Sequence, residues 1–286
     1  MYKQEITCKH RTAFVIAVDQ SLSMRGNFLK GLDLSVNKAE TVAQAVNELL
    51  CELENRARRE GVVRNYFDVA VLGYSSGRVT PLLDSQRNFV PVSELRCSPH
   101  ERRTRIVARR TRNGGVRYAE ELSEEWIAPV ASGNTPMHEA FWAIRNIVRD
   151  WCADPRNADS FPPVVINITD GEASDCDARE LLEASSEIRR LGTSDGNVLL
   201  MNVHITEGAV GGALVFPTDD EIGDDDRYAR LMADCSSIMP SAFNALIADL
   251  RGDNGLPPYR AMGYNASPKD LFAMLNIGSR SVTGIR

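Results

Sequence analysis

The stretch Asp19-Gln20-Ser21-Leu22-Ser23 follows five apolar residues, Phe14 to Val18, and carries one carboxylate and two hydroxyls at alternate positions. In a turn leaving a strand, side chains two residues apart face the same side, so the Ser21 and Ser23 hydroxyls can converge with Asp19 behind them. Two further oxygen side chains stand in comparable settings far along the chain: Thr135 in ASGNTPMHEA and Asp170 in INITDGEAS. All five offer oxygen, and none offers sulfur or imidazole. Such a set suits a hard divalent cation, Mg²⁺ or alternatively Mn²⁺ or Ca²⁺, over zinc. Neutral hydroxyls leave the ion electrophilic, with a position open to a carboxylate from outside or to a catalytic water. The plainer account is that serine, threonine and aspartate cap helices and make turns for their own sake. One cluster would not exceed that account; three in different parts of the chain do.

These residues need a scaffold that brings distant loops together. Residues 12–18 are almost continuously apolar, as in a strand buried on both faces. Residues 32–59 show helical spacing (Val36, Ala39, Ala43, Val46, Leu50, Leu53, Ala57) and end at Gly61. Strands are expected at 66–73, 163–169 and 197–205, and helices at 135–150 and 178–191, with Pro136 in a first turn. Between them, 78–128 reads as a β-rich insertion with short strands at 79–83, 90–95, 103–110 and 116–122. Asn113-Gly114-Gly115 supplies a hairpin turn. Residues 208–223 look loop-rich, short helices follow at 225–233 and 241–250, and a last one lies near 269–275. Strands alternating with helices imply an α/β, Rossmann-like, doubly wound and mostly parallel sheet, which binds ligands at the carboxyl ends of its strands. One domain is expected over 1–250, with 251–286 as an extension packed on it.

DxSxS at residues 19–23, Thr135 in GNTPMHEAF and Asp170-Gly171 in INITDGE together resemble the metal-ion-dependent adhesion site of von Willebrand factor type A (VWA) domains. The resemblance spans residues 12–250. It implies direct ligation by Ser21, Ser23 and Thr135, with Asp19 and Asp170 direct or through water. It also implies one antiparallel edge strand and a role in binding protein. Two positions depart from the pattern: Leu22 replaces the usual glycine between the serines, and Gln20 replaces a small or acidic residue. Neither is a ligand, so they bear on loop shape and partner choice. Gln20, Leu22, Asn134, His138 and Glu172 are accordingly expected around the rim, although one turn of helix could equally hide His138. NVHIT after the fourth strand makes the chain similar to bacterial VWA proteins of tellurium-resistance and stress operons, some of which accompany a protein kinase and a phosphatase.

The remaining signals are weaker. Gly192-Thr193-Ser194-Asp195-Gly196 matches the serine-hydrolase pattern, but it joins a helix to the next strand, whereas that motif needs a strand-to-helix turn. His204 lies in an apolar strand and is expected as a satisfied core residue. Seven arginines between 101 and 118, Arg103, Arg105 and Arg109 among them, make a local basic patch. It could protect a β-edge or contact an acidic protein surface. The six cysteines form no CxxC pair, the start has no apolar leader run, and no segment is long and apolar enough for a bilayer. These features point to a cytosolic protein with reduced thiols and no membrane role. A formal charge of −6 argues against general nucleic-acid binding.

The expected activity is non-enzymatic: a cation-dependent module that captures an Asp or Glu of a protein partner, possible partners including an operon-encoded kinase or phosphatase. The alternatives are a phosphatase-like hydrolase using the same ion, or a nucleic-acid-associated protein acting through the ribbon Arg102–Arg117.

Overall fold

The computed structural model describes residues 1–27, 37–97, 101–110, 116–205, 212–223, 226–253 and 257–278. The first strand, β1 (Thr12–Asp19), is buried along its whole length. Helix α1 (Lys38–Ala57) opens with a reciprocal cap. Asn37 accepts from Glu40 N (2.8 Å), and Glu40 Oε2 accepts from Asn37 N (3.0 Å). The expected helix start at 32–36 lies outside the described residues.

β2 (Phe67–Ser75) pairs parallel to β1, and β3 (Arg78–Pro81) and β4 (Val90–Pro91) pair antiparallel to β2. The strand expected over 90–95 keeps only its first two residues; Val92–Cys97 then winds into a 3₁₀ helix that buries Val92 and Leu95. β5 (Glu101–Arg110) and β6 (Val116–Glu125) form a two-stranded hairpin separate from the main sheet. The Asn113-Gly114-Gly115 turn falls outside the described residues.

The second half continues with α2 (Met137–Ala153), β7 (Val164–Thr169), α3 (Ala178–Arg190), β8 (Leu199–Ile205), β9 (Leu214–Val215), α4 (Arg227–Cys235), α5 (Asn244–Arg251), β10 (Met262–Ala266) and α6 (Pro268–Gly278). The main sheet runs β9-β10-β8-β7-β1-β2-β3. Its five inner strands are parallel, and antiparallel pairing is confined to the margins. The Rossmann-like, doubly wound class expected from the sequence is thus present. Beyond 251, the described residues 257–278 pack on the same core and also insert β10 into the sheet, a strand absent from the sequence reading.

Helices cover both faces. Phe14, Ile16 and Val18 of β1 join α1, α5 and α6 in one core. Val15 and Ala17 join α2 and α3 in the other. A polar ladder crosses the second layer between these apolar side chains. Tyr74 Oη donates to Asn167 Oδ1 (2.9 Å), Asn167 Nδ2 to Asn202 Oδ1 (3.1 Å), Asn202 Nδ2 to Ser236 Oγ (3.0 Å), and Ser236 Oγ to Met232 O (2.7 Å). Asn167 and Asn202 face each other in register on β7 and β8. Each rung supplies the partner that a buried amide requires.

The chain order β1, β2, then β7, β8 and β10 reverses direction across the sheet between β1 and β7. The carboxyl ends of these two strands therefore frame the crevice where such sheets bind ligands. Asp19 ends one, and Asp170 follows the other.

Candidate metal centre

The turn after β1 is shaped by Asp19 itself. Its Oδ1 accepts from Ser21 N (2.8 Å), closing an Asx turn, and Ser21 precedes a 3₁₀ turn, Leu22–Arg25, anchored by fully buried Met24. Asp19 Oδ2 accepts from Thr169 Oγ1 (2.8 Å), which ties the tips of β1 and β7 together. Burial pushes the Asp19 carboxyl above its ordinary pKa; hydrogen bonds from Ser21 and Thr169 pull it back, and nearby Asp170 pushes it up again.

Three of the oxygens converge, the Ser21–Ser23 pair as its alternate spacing implied. Ser21 Oγ lies 2.9 Å from Ser23 Oγ, and Ser23 Oγ donates to Asp170 Oδ1 at 2.6 Å. Neighbouring ligands of an octahedral Mg²⁺, each about 2.1 Å from the ion, sit roughly 3 Å apart. The hydroxyl pair already has that separation. Asp170 Oδ2 is buried and makes no hydrogen bond of proper geometry, although the Lys38 ammonium faces it at 2.5 Å.

Thr135 is 7% exposed and is placed by its backbone. Its loop is stitched to the first turn, Ser132 N donating to Gln20 O (2.7 Å) and Leu22 N to Gly133 O (2.9 Å). On the other side Thr135 N donates to Ser174 Oγ (3.0 Å), and Ser174 N to Thr135 O (3.0 Å). Gly133 makes this approach possible. Its φ is +71°, and a Cβ there would lie 1.9 Å from Ser76 Oγ. The helix expected from Thr135 begins two residues later because Asp175 takes the first free amides of α2, those of His138 (3.2 Å) and Glu139 (3.0 Å). Thr135 thereby stays in the loop that precedes the helix. The Ser21 and Ser23 hydroxyls and the Asp170 carboxylate thus meet in one crevice, with Asp19 bonded to Ser21 and Thr169 beside them and the Thr135 loop hydrogen-bonded to the turn after β1; oxygen donors of this kind fit a hard cation. Among the described residues no group of three or more His, Cys, Asp or Glu side chains is placed to hold a metal, so the fit depends on the hydroxyls.

The expected rim divides. Leu22 is 52% exposed, and Asn134 and Glu172 are also exposed. Gln20 is corrected: it is buried, its amide lying over Gly73, where a Cβ would meet Gln20 Oε1 at 2.2 Å. His138 is half-buried, and its Nε2 accepts from Trp142 Nε1 (2.9 Å) on the same helix. His204 is buried as expected but is not fully satisfied, because its Nδ1 has no hydrogen-bond partner among the described residues. It stacks on Tyr264 (4.8 Å between centroids) and meets the edge of Tyr228 (5.3 Å). Burial lowers its pKa to about 4. Tyr228 in turn donates to Gly171 O (2.5 Å), bracing the Asp170 loop.

The arginine patch changes character in the hairpin. Register sets Arg102 opposite Glu124 (a 3.2 Å ion pair), Arg105 opposite Glu121, and Arg103 opposite Ser123. Charge near the base is thus matched across the strands, whereas Arg109 stands opposite Arg117. The side chains of Arg103, Arg105 and Arg109 are outside the described set, so their contacts are not assigned. The hairpin base is clamped to α1. Asn47 Oδ1 accepts from Trp126 N (2.7 Å) and Ile127 N (3.0 Å), and its Nδ2 donates to Ile127 O (3.0 Å). The segment 192–196 forms a small hairpin after α3, with Ser194 Oγ bonded to Asp159 (2.8 Å). All six cysteines are free, and no helix among the described residues is long and apolar enough to cross a membrane.

Lys38, Thr169, Ser174, Asp175 and Tyr228 belong to the site's surroundings and were not among the expected residues. None of them left a signal in the sequence: Lys38 falls in a first helical turn only once the helix is known to start there and not at 32.

A scan of protein-family models finds no match, and neither does a search of curated proteins. Several solved structures resemble this one. A von Willebrand factor type A protein from Catenulispora acidiphila is 14% identical over 68% of this chain and 33% of its own, with a TM-score of 0.42. The SpRpn10 VWA domain is 12% identical over 86% of this chain and 99% of its own (TM-score 0.42). The PilB minor pilin from Streptococcus sanguinis is 9% identical over 96% and 61% (TM-score 0.44). The chain thus spans a third of the length of the Catenulispora protein. The α/β, doubly wound class itself rests on the strand order described above.

Proposed function

We propose that the chain is a VWA-type domain that binds a divalent cation, Mg²⁺ in the first place, and uses it to capture an acidic side chain of a protein partner. Ser21, Ser23 and Thr135 would hold the ion by their hydroxyls, with Asp19 and Asp170 supplying charge directly or through water. When bound, the ion offers a hard, electrophilic position to a carboxylate. The observation that carries this reading is the run of oxygens from Ser21 through Ser23 to Asp170, 2.9 and 2.6 Å apart, gathered from two strand ends at the sheet's switch point. Exposed Leu22, Asn134 and Glu172 would form the contact rim. We assign the ion to docking and not to hydrolysis, because His138, the imidazole expected at the rim, has its Nε2 engaged by Trp142. A bacterial cytosolic setting, with a stress-operon kinase or phosphatase as partner, belongs to the same proposal.

The test is calorimetric titration of Mg²⁺ and Mn²⁺ into wild type, Asp19→Ala and the double variant Ser21→Ala/Ser23→Ala. Saturable binding to wild type, lost in both variants while their folded signal persists, is the expected result. Unchanged affinity in the variants overturns the assignment. Mg²⁺-dependent phosphatase activity that disappears with Asp19→Ala would replace docking by catalysis.

A further inference from the structure

Lys38 occupies a position that local rules disfavour. It is the first residue of α1, where the helix dipole repels a cation. Its side chain is only 6% exposed, and a buried ammonium is costly without an anion. It is nevertheless firmly held. Its backbone N donates to Gly26 O (2.8 Å), just beyond the DxSxS turn, and the Asn37–Glu40 cap fixes the helix start. The ammonium reaches the wholly buried Asp170 side chain, 2.5 Å from Oδ2, while Oδ1 of the same carboxylate accepts from Ser23. One carboxylate therefore joins the hydroxyl pair to a resident cation. A residue that breaks a local rule at a site usually has a role there.

We propose that Lys38 is the site's built-in counter-cation: it competes with the divalent ion for Asp170, so that metal binding must draw Asp170 away from Lys38. This rests on the metal-site reading above and deepens it. Two carboxylates balance a divalent charge, but Lys38 cancels one of them. The ion then meets a site with one net negative charge and a like-charged neighbour a few ångströms away, a strong repulsion because the Lys38 and Asp170 side chains are themselves buried. Affinity is held down, and the excess positive charge of the loaded site favours an acidic group from outside. Because Lys38 begins α1, release of Asp170 also loosens the tie between the Asp170 loop and that helix.

The test compares wild type, Lys38→Met and the milder Lys38→Gln, a neutral side chain that can offer Asp170 a polar N–H if the methionine variant folds poorly. Removing the ammonium should tighten Mg²⁺ binding at least about tenfold by calorimetry, one decade being a small share of such a repulsion. Independently, amine acetylation followed by mass spectrometry should label Lys38 of wild type several-fold faster in Mg²⁺ than in EDTA, with Lys3, Lys9 and Lys269 unchanged. If the variants bind Mg²⁺ no tighter than a wild type that does bind it, or Lys38 labelling is insensitive to Mg²⁺, the counter-cation role is wrong and the metal site stands. If neither wild type nor the variants bind Mg²⁺ or Mn²⁺, the metal reading falls and this inference with it.

Discussion

Replacing Asn47 by alanine should detach the hairpin from α1. The Asn47 amide is 4% exposed and serves three backbone groups at once: the N–H of Trp126, the N–H of Ile127 and the C=O of Ile127. Trp126 and Ile127 are themselves 4% and 5% exposed, so water cannot readily take over. A buried polar group stripped of its partner costs about 1–3 kcal/mol. Three such groups, each at the low end because the strand can shift a little, give a loss of about 3–4 kcal/mol. That is a large part of the 5–15 kcal/mol typical of a folded domain. Urea denaturation followed by tryptophan fluorescence measures it, since Trp126 Nε1 donates to Leu95 O (2.8 Å) and reports the same junction. The midpoint should fall with little change in slope, and amide exchange at 126 and 127 should accelerate before the rest of the chain. A loss below about 1 kcal/mol, with exchange at these two amides unchanged, would show that Asn47 does not carry the junction.

Two further outcomes follow from groups beside the site. His204 titrates near 6.5 when unfolded and at about 4 when folded, so its stabilising share is complete above 6.5 and is lost as pH falls toward 4; at about 1.4 kcal/mol per pH unit the loss approaches 3 kcal/mol. His204→Phe, keeping the stack on Tyr264, should flatten the melting temperature against pH in that interval, and a slope equal to that of wild type would refute the assignment. Gly133→Ala forces a side chain into left-handed backbone and against Ser76, for a loss of about 1–3 kcal/mol and weaker Mg²⁺ binding. Adding Ser76→Gly should recover only the part due to the clash, and calorimetry with thermal melts separates the two effects.

Those parts of the molecule that depend on local pattern were legible. β1, β7 and β8 are dominated by apolar residues and buried on both faces, as inner strands of a covered sheet must be. The alternate spacing of Ser21 and Ser23 forecast their convergence, because a turn closed by Asp19 sets both on one side. What depends on distant partners was not legible. Nothing near Lys38 in sequence announces Asp170, 132 residues away. Gln20 is buried only because Gly73, on the neighbouring strand, leaves room above it. β10 reads MGYNA, where glycine and asparagine disfavour strands; it pairs because β8 and β9 present open edges on either side. The arginine patch looked uncompensated until register set an acidic strand against its base.

The amide ladder has a consequence for how accurately the crevice is assembled. VVINIT and LLMNVHI are mostly oily, and oil alone tolerates sliding of one strand past its neighbour. Tyr74, Asn167, Asn202 and Ser236 do not. Slippage by a single residue would carry each past its mate and strand several polar groups in the interior, at about 1–3 kcal/mol apiece. The ladder therefore works as an indexing pin through the sheet. It sets strands β2, β7 and β8 to one common height, and that height decides whether the Asp170 loop ends level with the turn after Asp19 or a step above it.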